Sequence, residues 1–233
     1  MSREMEIRIR PIFSTPLLVF TIPGHERINK ELRQAILERE ASHPAEADHE
    51  VVGWSSPHDM SMFEWTGPAL KDLLAPVLEV ATQATEYSER APELTGKHPR
   101  WQVVEMWANV QRKGGSNSVH PHPGTFWSGV YYVDVGDISD DGKSGGDLLL
   151  FDPRGCLPTM LAPYLRYVVA ELHDAGKSIA FTPTAGQCVL FPGWLSHAVG
   201  LYNGTGPRIS VAFNLDPIIE EFKDWRFNAP PKK

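Results

Sequence analysis

The part of the chain after Trp101 constrains the fold most, because it is a series of short runs rich in β-branched and aromatic residues. Eight such runs follow one another, separated by glycine, proline, asparagine and aspartate: WQVVEMWANVQ, FWSGVYYVDV, GDLLLFD, RYVVAEL, SIAFTPT, QCVLFP, HAVGLY and RISVAFNL. Short strands at this spacing are typical of β-sandwiches and β-barrels. We therefore expect a mainly β architecture for this half of the chain.

The first hundred residues predict helices instead. Ile7 to Ile22 reads as one or two short strands, and an amphipathic helix is expected from Glu26 to about Glu40, where an apolar residue recurs every four positions. Pro68 fits the first turn of a second helix, in which Pro76 is expected to cause a kink. The apolar face of this second helix consists of Leu70, Leu73, Leu74, Val77, Leu78 and Ala81.

These patterns predict one domain over residues 1–233. An N-terminal strand and helical cap (residues 1–100) would pack on a β core (101–216), and a tail (217–233) would follow. The apolar face of the second helix also offers a surface through which two chains could form a homodimer.

Composition excludes several functional classes. The 233 residues carry a formal net charge of −7 without an internal basic block, which argues against a nucleic-acid partner. Cys156 and Cys188 match no metal or redox spacing, so we interpret them as free thiols in a reducing compartment. No signal peptide and no run as long as a membrane span is recognisable. A cytoplasmic protein is expected.

The stretch NSVHPHPGTFW contains the first candidate metal ligands, His120 and His122. Residues i and i+2 of a strand face the same side, so the two imidazoles would project together and form half of a metal site. A surface turn with solvated histidines is the alternative, because short motifs often occur by chance. The other histidines (His25, His43, His49, His58, His98 and His173) lie in polar contexts and are interpreted as surface residues.

A second segment, GQCVLFPGWLSHAVGLYNGTGPRISVAFNL, favours the metal site. It offers His197 as a third ligand. Arg208 and Ser210 follow on a return strand, where they share one face. Arginine recognises carboxylates through two parallel hydrogen bonds, and a nearby hydroxyl adds a donor. The hairpin could thus hold a small carboxylate-bearing molecule beside the metal.

In this order, the motifs resemble the iron(II)- and 2-oxoglutarate-dependent oxygenases with a double-stranded β-helix (jelly-roll, cupin-like) fold. The resemblance is closest to a bacterial family with N-x-x-H-x-H-P, S-G-V-Y-Y-V, D-P-R and F-P-x-W-L-x-H-x-V, and it runs from about residue 10 to 215. It implies that His120, His122 and His197 hold Fe(II), while Arg208 and Ser210 bind 2-oxoglutarate. An unidentified substrate, a small molecule or a peptide, would be hydroxylated with O₂, releasing succinate and CO₂.

This sequence differs from the pattern of the wider superfamily at one position, because that superfamily has Asp or Glu where His122 stands. Either three histidines bind the metal, or His122 only supports the site and a carboxylate such as Asp152 replaces it. Two other functions remain open: a cupin-like three-histidine dioxygenase that needs no 2-oxoglutarate, and a non-catalytic jelly-roll binding protein. The spacing of Arg208 and Ser210 after His197 favours the 2-oxoglutarate enzyme over both.

Further residues are candidates for the same site. Asn109 and Tyr131 (or its neighbour Tyr132) are expected to contact 2-oxoglutarate, although each could equally serve strand packing. Trp107 and Arg154 are candidate pocket residues. Trp54 and His58 are candidates to reach the entrance of the site from the cap.

Overall fold

Two antiparallel β-sheets face each other in the computed structural model, which describes residue 8 and residues 12–44, 51–138, 142–155, 162, 164–165 and 178–218. The strands are β1 (Leu18–Thr21), β2 (Val51–Val52), β3 (Trp54–Ser55), β4 (Arg100–Gln111), β5 (Ser116–His120), β6 (Trp127–Asp134), β7 (Leu148–Phe151), β8 (Ser178–Phe181), β9 (Gln187–Pro192), β10 (His197–Val199) and β11 (Arg208–Ile218). The helices are α1 (His25–Ser42), α2 (Met62–Trp65), α3 (Pro68–Gln83) and a 3₁₀ turn (Pro92–Leu94).

The strand order is that of a jelly roll. The six-stranded sheet runs β1-β9-β6-β11-β4-β3 and the five-stranded sheet runs β2-β5-β10-β7-β8. Strands β1, β2 and β3 come from the N-terminal part of the chain and lie at sheet edges, so this part completes both sheets as well as supplying helices. The prediction of a mainly β double-stranded β-helix is confirmed. The division at residue 100 stays a prediction of domain organisation.

The side chains of the long strands β4, β6 and β11 point alternately to the helix-covered face of their sheet and to the space between the two sheets. Because a strand alternates its faces, Ile209, Val211 and Phe213 point to one side of the six-stranded sheet, where they are buried with the helices. The residues between them point into the space between the two sheets. There a smaller apolar cluster closes the interior; its members are Tyr132, Leu148, Leu150, Val189, Phe191 and Leu195.

Helices α1 and α3 cover the outer face of the six-stranded sheet. In α1 the predicted stripe of Ile28, Leu32 and Ile36 is buried, which confirms this helix. Helix α3 continues through Pro76 from Pro68 to Gln83, and its apolar face is buried in the same core. This face is therefore covered within its own chain and is not exposed for the homodimer contact that the sequence suggested.

Other predicted elements have mixed outcomes. Three predicted features lie outside the described residues: the run at residues 166–172 (RYVVAEL), Cys156 and the tail beyond residue 218. Cys188 is a buried free thiol. No helix in the described part of the chain is both long and apolar enough to cross a bilayer.

Gly129 of the S-G-V-Y-Y-V motif allows a test of the apolar core between the six-stranded sheet and the helices. A Cβ atom there would lie 2.3 Å from Cε2 of Phe213 and 2.6 Å from Cδ2 of Leu190, both buried. Overpacking a core costs about 1–3 kcal/mol, and each kcal/mol lowers the Tm of a chain this long by roughly 2–4 °C. We expect Gly129→Ala to lower Tm accordingly in thermal denaturation.

Gly200→Ala is the matched control, because a Cβ at Gly200 has its nearest neighbour at 3.7 Å. A Gly129→Ala protein as stable as the Gly200→Ala protein would contradict this packing.

Candidate metal and co-substrate site

Polar side chains occupy the inner face of the six-stranded sheet at one end of the barrel. Ser210 in β11 lies opposite Asn109 in β4 on one side and Tyr132 in β6 on the other. Arg208 lies two residues earlier on the same strand, opposite Gln111. One cavity is lined by all five side chains and by the three candidate metal ligands.

Strand pairing in the five-stranded sheet brings two of the histidines together. His197, the first residue of β10, is the antiparallel partner of His120, the last residue of β5. Pairing opposite residues on neighbouring strands places their side chains about 5 Å apart. The two rings are 4.5 Å apart between centroids.

His122 reaches the same point from outside the strand. Strand β5 ends at His120, so the expectation that both residues of the H-x-H motif lie in one strand is wrong. The backbone N–H of His122 donates to the carbonyl of Gly193 at 2.7 Å, and its carbonyl accepts from the Thr125 hydroxyl at 3.0 Å. The bond to Gly193 ties the loop to the turn that precedes His197, and the bond from Thr125 stabilises the loop itself. The ring centroid of His122 lies 5.0 Å from that of His120 and 5.1 Å from that of His197.

The donor atoms of the three rings fit one metal ion. One nitrogen from each ring lies within 4.8 Å of the others. Nδ1 of His120 lies 2.7 Å from the carbonyl of Ser118, and Nδ1 of His197 lies 2.9 Å from the carbonyl of Leu195. Because a carbonyl only accepts, both Nδ1 atoms must carry the proton, and each Nε2 then offers its lone pair. This support is typical of metal-binding histidines.

Burial keeps two of the rings neutral, which is the form that binds a metal. Burial, with smaller contributions from the neighbouring His197, His120 and His58, lowers the pKa of His122 to about 3. Burial also lowers the pKa of His197 to about 4, against the opposing effect of the Leu195 carbonyl, while His120 adds to the decrease. Both imidazoles are therefore uncharged at neutral pH without any metal.

Arg208 supplies a buried positive charge beside the histidines. The side chain is 1% exposed; its Nε donates to the carbonyl of Gly146 at 3.0 Å and its Nη1 to Oε1 of Gln111 at 2.8 Å. Within the described ranges no carboxylate forms an ion pair with it. Burial lowers the pKa of Arg208, but a guanidinium starts so far above neutrality that it stays charged. A buried unpaired cation is costly and is suited to binding an anion.

The other predicted co-substrate residues have different positions. Asn109 is buried in the cavity, and its Oδ1 has no hydrogen-bond partner. Tyr131 faces the opposite side of β6 and donates its hydroxyl to Asn29 of helix α1, so the expectation that it contacts 2-oxoglutarate is wrong. Its neighbour Tyr132 lines the cavity instead, with the guanidinium carbon of Arg208 5.3 Å from its ring. The buried hydroxyl of Tyr132 also has no hydrogen-bond partner.

Of the two cap residues, only His58 reaches the site. Its ring stacks on Trp107 at 4.1 Å between centroids, and Trp107 lies 5.4 Å from His122. Trp54 is buried in β3 and donates its indole N–H to the carbonyl of His43, away from the cavity. His58 and Trp107 thus form a wall next to His122.

Asp152, the alternative carboxylate ligand, is engaged elsewhere. Its two oxygens accept from Nε and Nη2 of Arg154 at 2.9 and 2.8 Å. Among the described residues, the group that could hold a metal consists of the three histidines alone. Arg154 does not line the cavity.

A double-stranded β-helix with three converging imidazoles and a buried arginine in one cavity defines a class of protein, the non-haem metal oxygenases. Residues 105–214 match a family model described as "Putative 2OG-Fe(II) oxygenase". The jelly-roll core therefore matches the iron(II)- and 2-oxoglutarate-dependent oxygenases, a family of oxidoreductases that use Fe(II) and 2-oxoglutarate. No curated protein matches the sequence.

Solved structures show the same fold. A prolyl hydroxylase from Trichoplax adhaerens, solved with a hypoxia inducible factor peptide fragment, aligns with a TM-score of 0.56 at 13% identity over 86% of this chain and 83% of its own. A prolyl-4-hydroxylase from Pseudomonas putida has a TM-score of 0.54 at 13% identity, covering 87% and 93%. HygX from Streptomyces hygroscopicus, solved with nickel and 2-oxoglutarate, has a TM-score of 0.51 at 12% identity, covering 88% and 83%.

The lowered pKa values of His122 and His197 predict how the stability of the metal-free protein depends on pH. In the unfolded chain both histidines titrate near the ordinary value of about 6.5. Between that pH and their folded pKa values of about 3 and about 4, the unfolded state binds more protons, so the free energy of unfolding falls as pH is lowered from about 6.5 toward 4.

This dependence can be measured as the Tm of the metal-free protein between pH 7.5 and 4.5. The His122→Gln/His197→Gln double variant is the control, and its Tm should decrease less steeply over the same range. Parallel pH profiles of the two proteins would show that these histidines are not buried in the neutral form.

Proposed function

We propose that His120, His122 and His197 hold Fe(II), and that Arg208 and Ser210 bind the distal carboxylate of 2-oxoglutarate during hydroxylation of a small-molecule or peptide substrate. The observation that carries this proposal is the unpaired buried charge of Arg208 in the cavity that contains the three imidazoles. A dicarboxylic co-substrate would supply the missing anion.

Arg208 also argues against the two alternative functions. A cupin-like dioxygenase that oxidises its substrate with O₂ directly needs no carboxylate-binding residue beside the metal. A non-catalytic binding protein needs neither neutral histidines with free Nε2 atoms nor a buried cation next to them. The 2-oxoglutarate enzyme accounts for both features with one ligand.

The residues of the proposed site have roles that follow from their positions. His120, His122 and His197 would hold Fe(II), which when bound would supply the activation of O₂ coupled to oxidative decarboxylation of 2-oxoglutarate to succinate. The carbonyls of Ser118 and Leu195 orient two imidazoles through their Nδ1 protons. Phe191 packs against His197 at 4.7 Å between ring centroids and excludes water from that side.

The substrate is inferred to approach from the side of Trp107 and His58. Along β11, Ala212 lies opposite Trp107, four residues beyond Arg208. The guanidinium and the Trp107–His58 wall therefore stand at different levels of the barrel, with Trp107 next to His122. The co-substrate would occupy the Arg208 side and leave the other side to the substrate, which a screen for succinate release across metabolites and peptides would identify.

The metal ligands can be tested by titrating the protein with Fe(II) under anaerobic conditions. We expect His120→Ala, His122→Ala and His197→Ala each to lower metal affinity by at least about a hundredfold, since a first ligand matters at least as much as the groups that orient it. Asp152→Asn is the matched control and should bind metal like the unaltered protein, because Asp152 is paired with Arg154. Retained affinity in His122→Ala together with loss in Asp152→Asn would assign the third ligand to the carboxylate.

Tyr132 is proposed as an additional co-substrate residue, because its buried hydroxyl lacks a partner beside Arg208. Loss of one hydrogen bond to a charged group costs about 1.5–3 kcal/mol. We therefore expect Tyr132→Phe to weaken binding of 2-oxoglutarate to the Fe(II)-loaded protein about tenfold or more, measured by anaerobic calorimetry.

Tyr131→Phe is the matched control for this test. It removes the adjacent hydroxyl, which contacts Asn29 outside the cavity, and should leave 2-oxoglutarate binding unchanged. Equal effects of the two substitutions would show that Tyr132 has no specific role.

A further inference from the structure

Among the side chains of the described residues, only Gln111 forms hydrogen bonds both to Arg208 and to the sheet that carries His120 and His197. It ends β4, is 0% exposed and lies opposite Arg208 on β11. Its Oε1 accepts from Nη1 of Arg208 at 2.8 Å, and its Nε2 donates to Oδ1 of Asn117 at 3.0 Å. A guanidinium can only donate, so the Arg208 contact fixes which amide atom faces which partner.

Asn117 connects this amide to the metal-binding strand. It belongs to β5, three residues before His120, and it is the antiparallel partner of Val199 on β10, which begins with His197. Gln111 thus bridges the two sheets across the cavity and holds Arg208 at a set position relative to the strands that carry the histidines.

The neutrality of Gln111 matters as much as its hydrogen bonds. Arg208 has five N–H donors, and the bonds to Gly146 and Gln111 involve its Nε and Nη1. Both acceptors are neutral, so they orient the guanidinium without cancelling its charge. A carboxylate at position 111 would instead form a buried ion pair with Arg208 and compete with any acidic ligand.

We propose that Gln111 is a positioning residue that orients Arg208 while leaving its charge available, and that it thereby makes the cavity selective for a 2-oxo acid with a distal carboxylate. This inference rests on the proposed function, in which Arg208 binds that carboxylate. Gln111 acts through Arg208 and has no role in the chemistry at the metal.

The test compares two ligands in anaerobic calorimetric titrations of the Fe(II)-loaded protein. 2-Oxoglutarate and 2-oxovalerate have five carbons and the same 2-oxo acid end, but only the former has a distal carboxylate. Gln111→Glu, which keeps the size of the side chain, should lower 2-oxoglutarate affinity by about tenfold or more because it neutralises Arg208. Affinity for 2-oxovalerate should stay within about twofold, since that ligand makes no ion pair.

Two further variants make the result decisive. Gln102→Glu adds the same charge at an exposed position of the same strand and should leave both affinities unchanged. Gln111→Met keeps the volume without adding charge, so it should reduce 2-oxoglutarate affinity through lost orientation alone and by less than Gln111→Glu. It also provides the measurement if the glutamate variant does not fold.

The possible results distinguish a failure of the proposed role of Gln111 from a failure of the proposed role of Arg208. Equal affinities of the unaltered protein for the two ligands would overturn the role of Arg208 itself. A strong preference for 2-oxoglutarate that Gln111→Glu leaves intact would overturn only the role of Gln111, and the same holds if Gln111→Glu weakens both ligands equally.

Discussion

Strands β4, β6 and β11 alternate between an apolar outer environment and a polar inner one, and the site depends on this alternation. On β11, Ile209 and Val211 are buried under the helices, while Arg208 and Ser210 face the cavity. Because the side-chain period of a strand is two, a slip of one residue would move every polar group into the helical core and every apolar group into the cavity. Helices α1 and α3, by burying the outer face, therefore also fix the register that positions the inner one.

The inner face contains a buried cation with no ion-pair partner among the described residues and two buried polar atoms without a hydrogen bond. Arg208 is charged and unpaired by any described carboxylate, and Oδ1 of Asn109 and the hydroxyl of Tyr132 are buried without hydrogen bonds. Each such group destabilises the fold, since an unsatisfied buried polar atom costs about 1–3 kcal/mol. The unsatisfied atoms of Asn109 and Tyr132 lie in the same cavity as the three imidazoles, as expected of a site whose ligand supplies the missing partners.

Sequence reasoning predicted that the three histidines, Arg208 and Ser210 meet in one site, because each stands in a motif with a set spacing, and all five line one cavity. It could not choose between Tyr131 and Tyr132, since alternation shows that neighbours face opposite sides but not which side is inside. Only the packing of Tyr131 against helix α1 decides this.

Other features of the site depend on contacts between distant segments. Strand β5 ends at His120, and His122 is held by Gly193, which lies far along the chain. Gln111 carried no signal in the sequence, because a glutamine at a strand end is ordinary and its importance comes from Arg208 and Asn117. The fold class was predictable because periodicity is a local property, whereas these pairings are not.

Charge connects the metal and co-substrate halves of the site. In the proposed site, three imidazole ligands would leave the full +2 charge on a bound Fe(II), and Arg208 would add a second cationic centre in the same cavity. A dianionic 2-oxo acid has one carboxylate for each centre, whereas a monoanionic 2-oxo acid would leave the guanidinium buried and unpaired. Sites that bury a polar group reject ligands lacking its partner far more strongly than apolar pockets reject a missing methylene. Under the proposed function, selectivity for the diacid would thus follow from the cost of burying Arg208 and would not require a close steric fit.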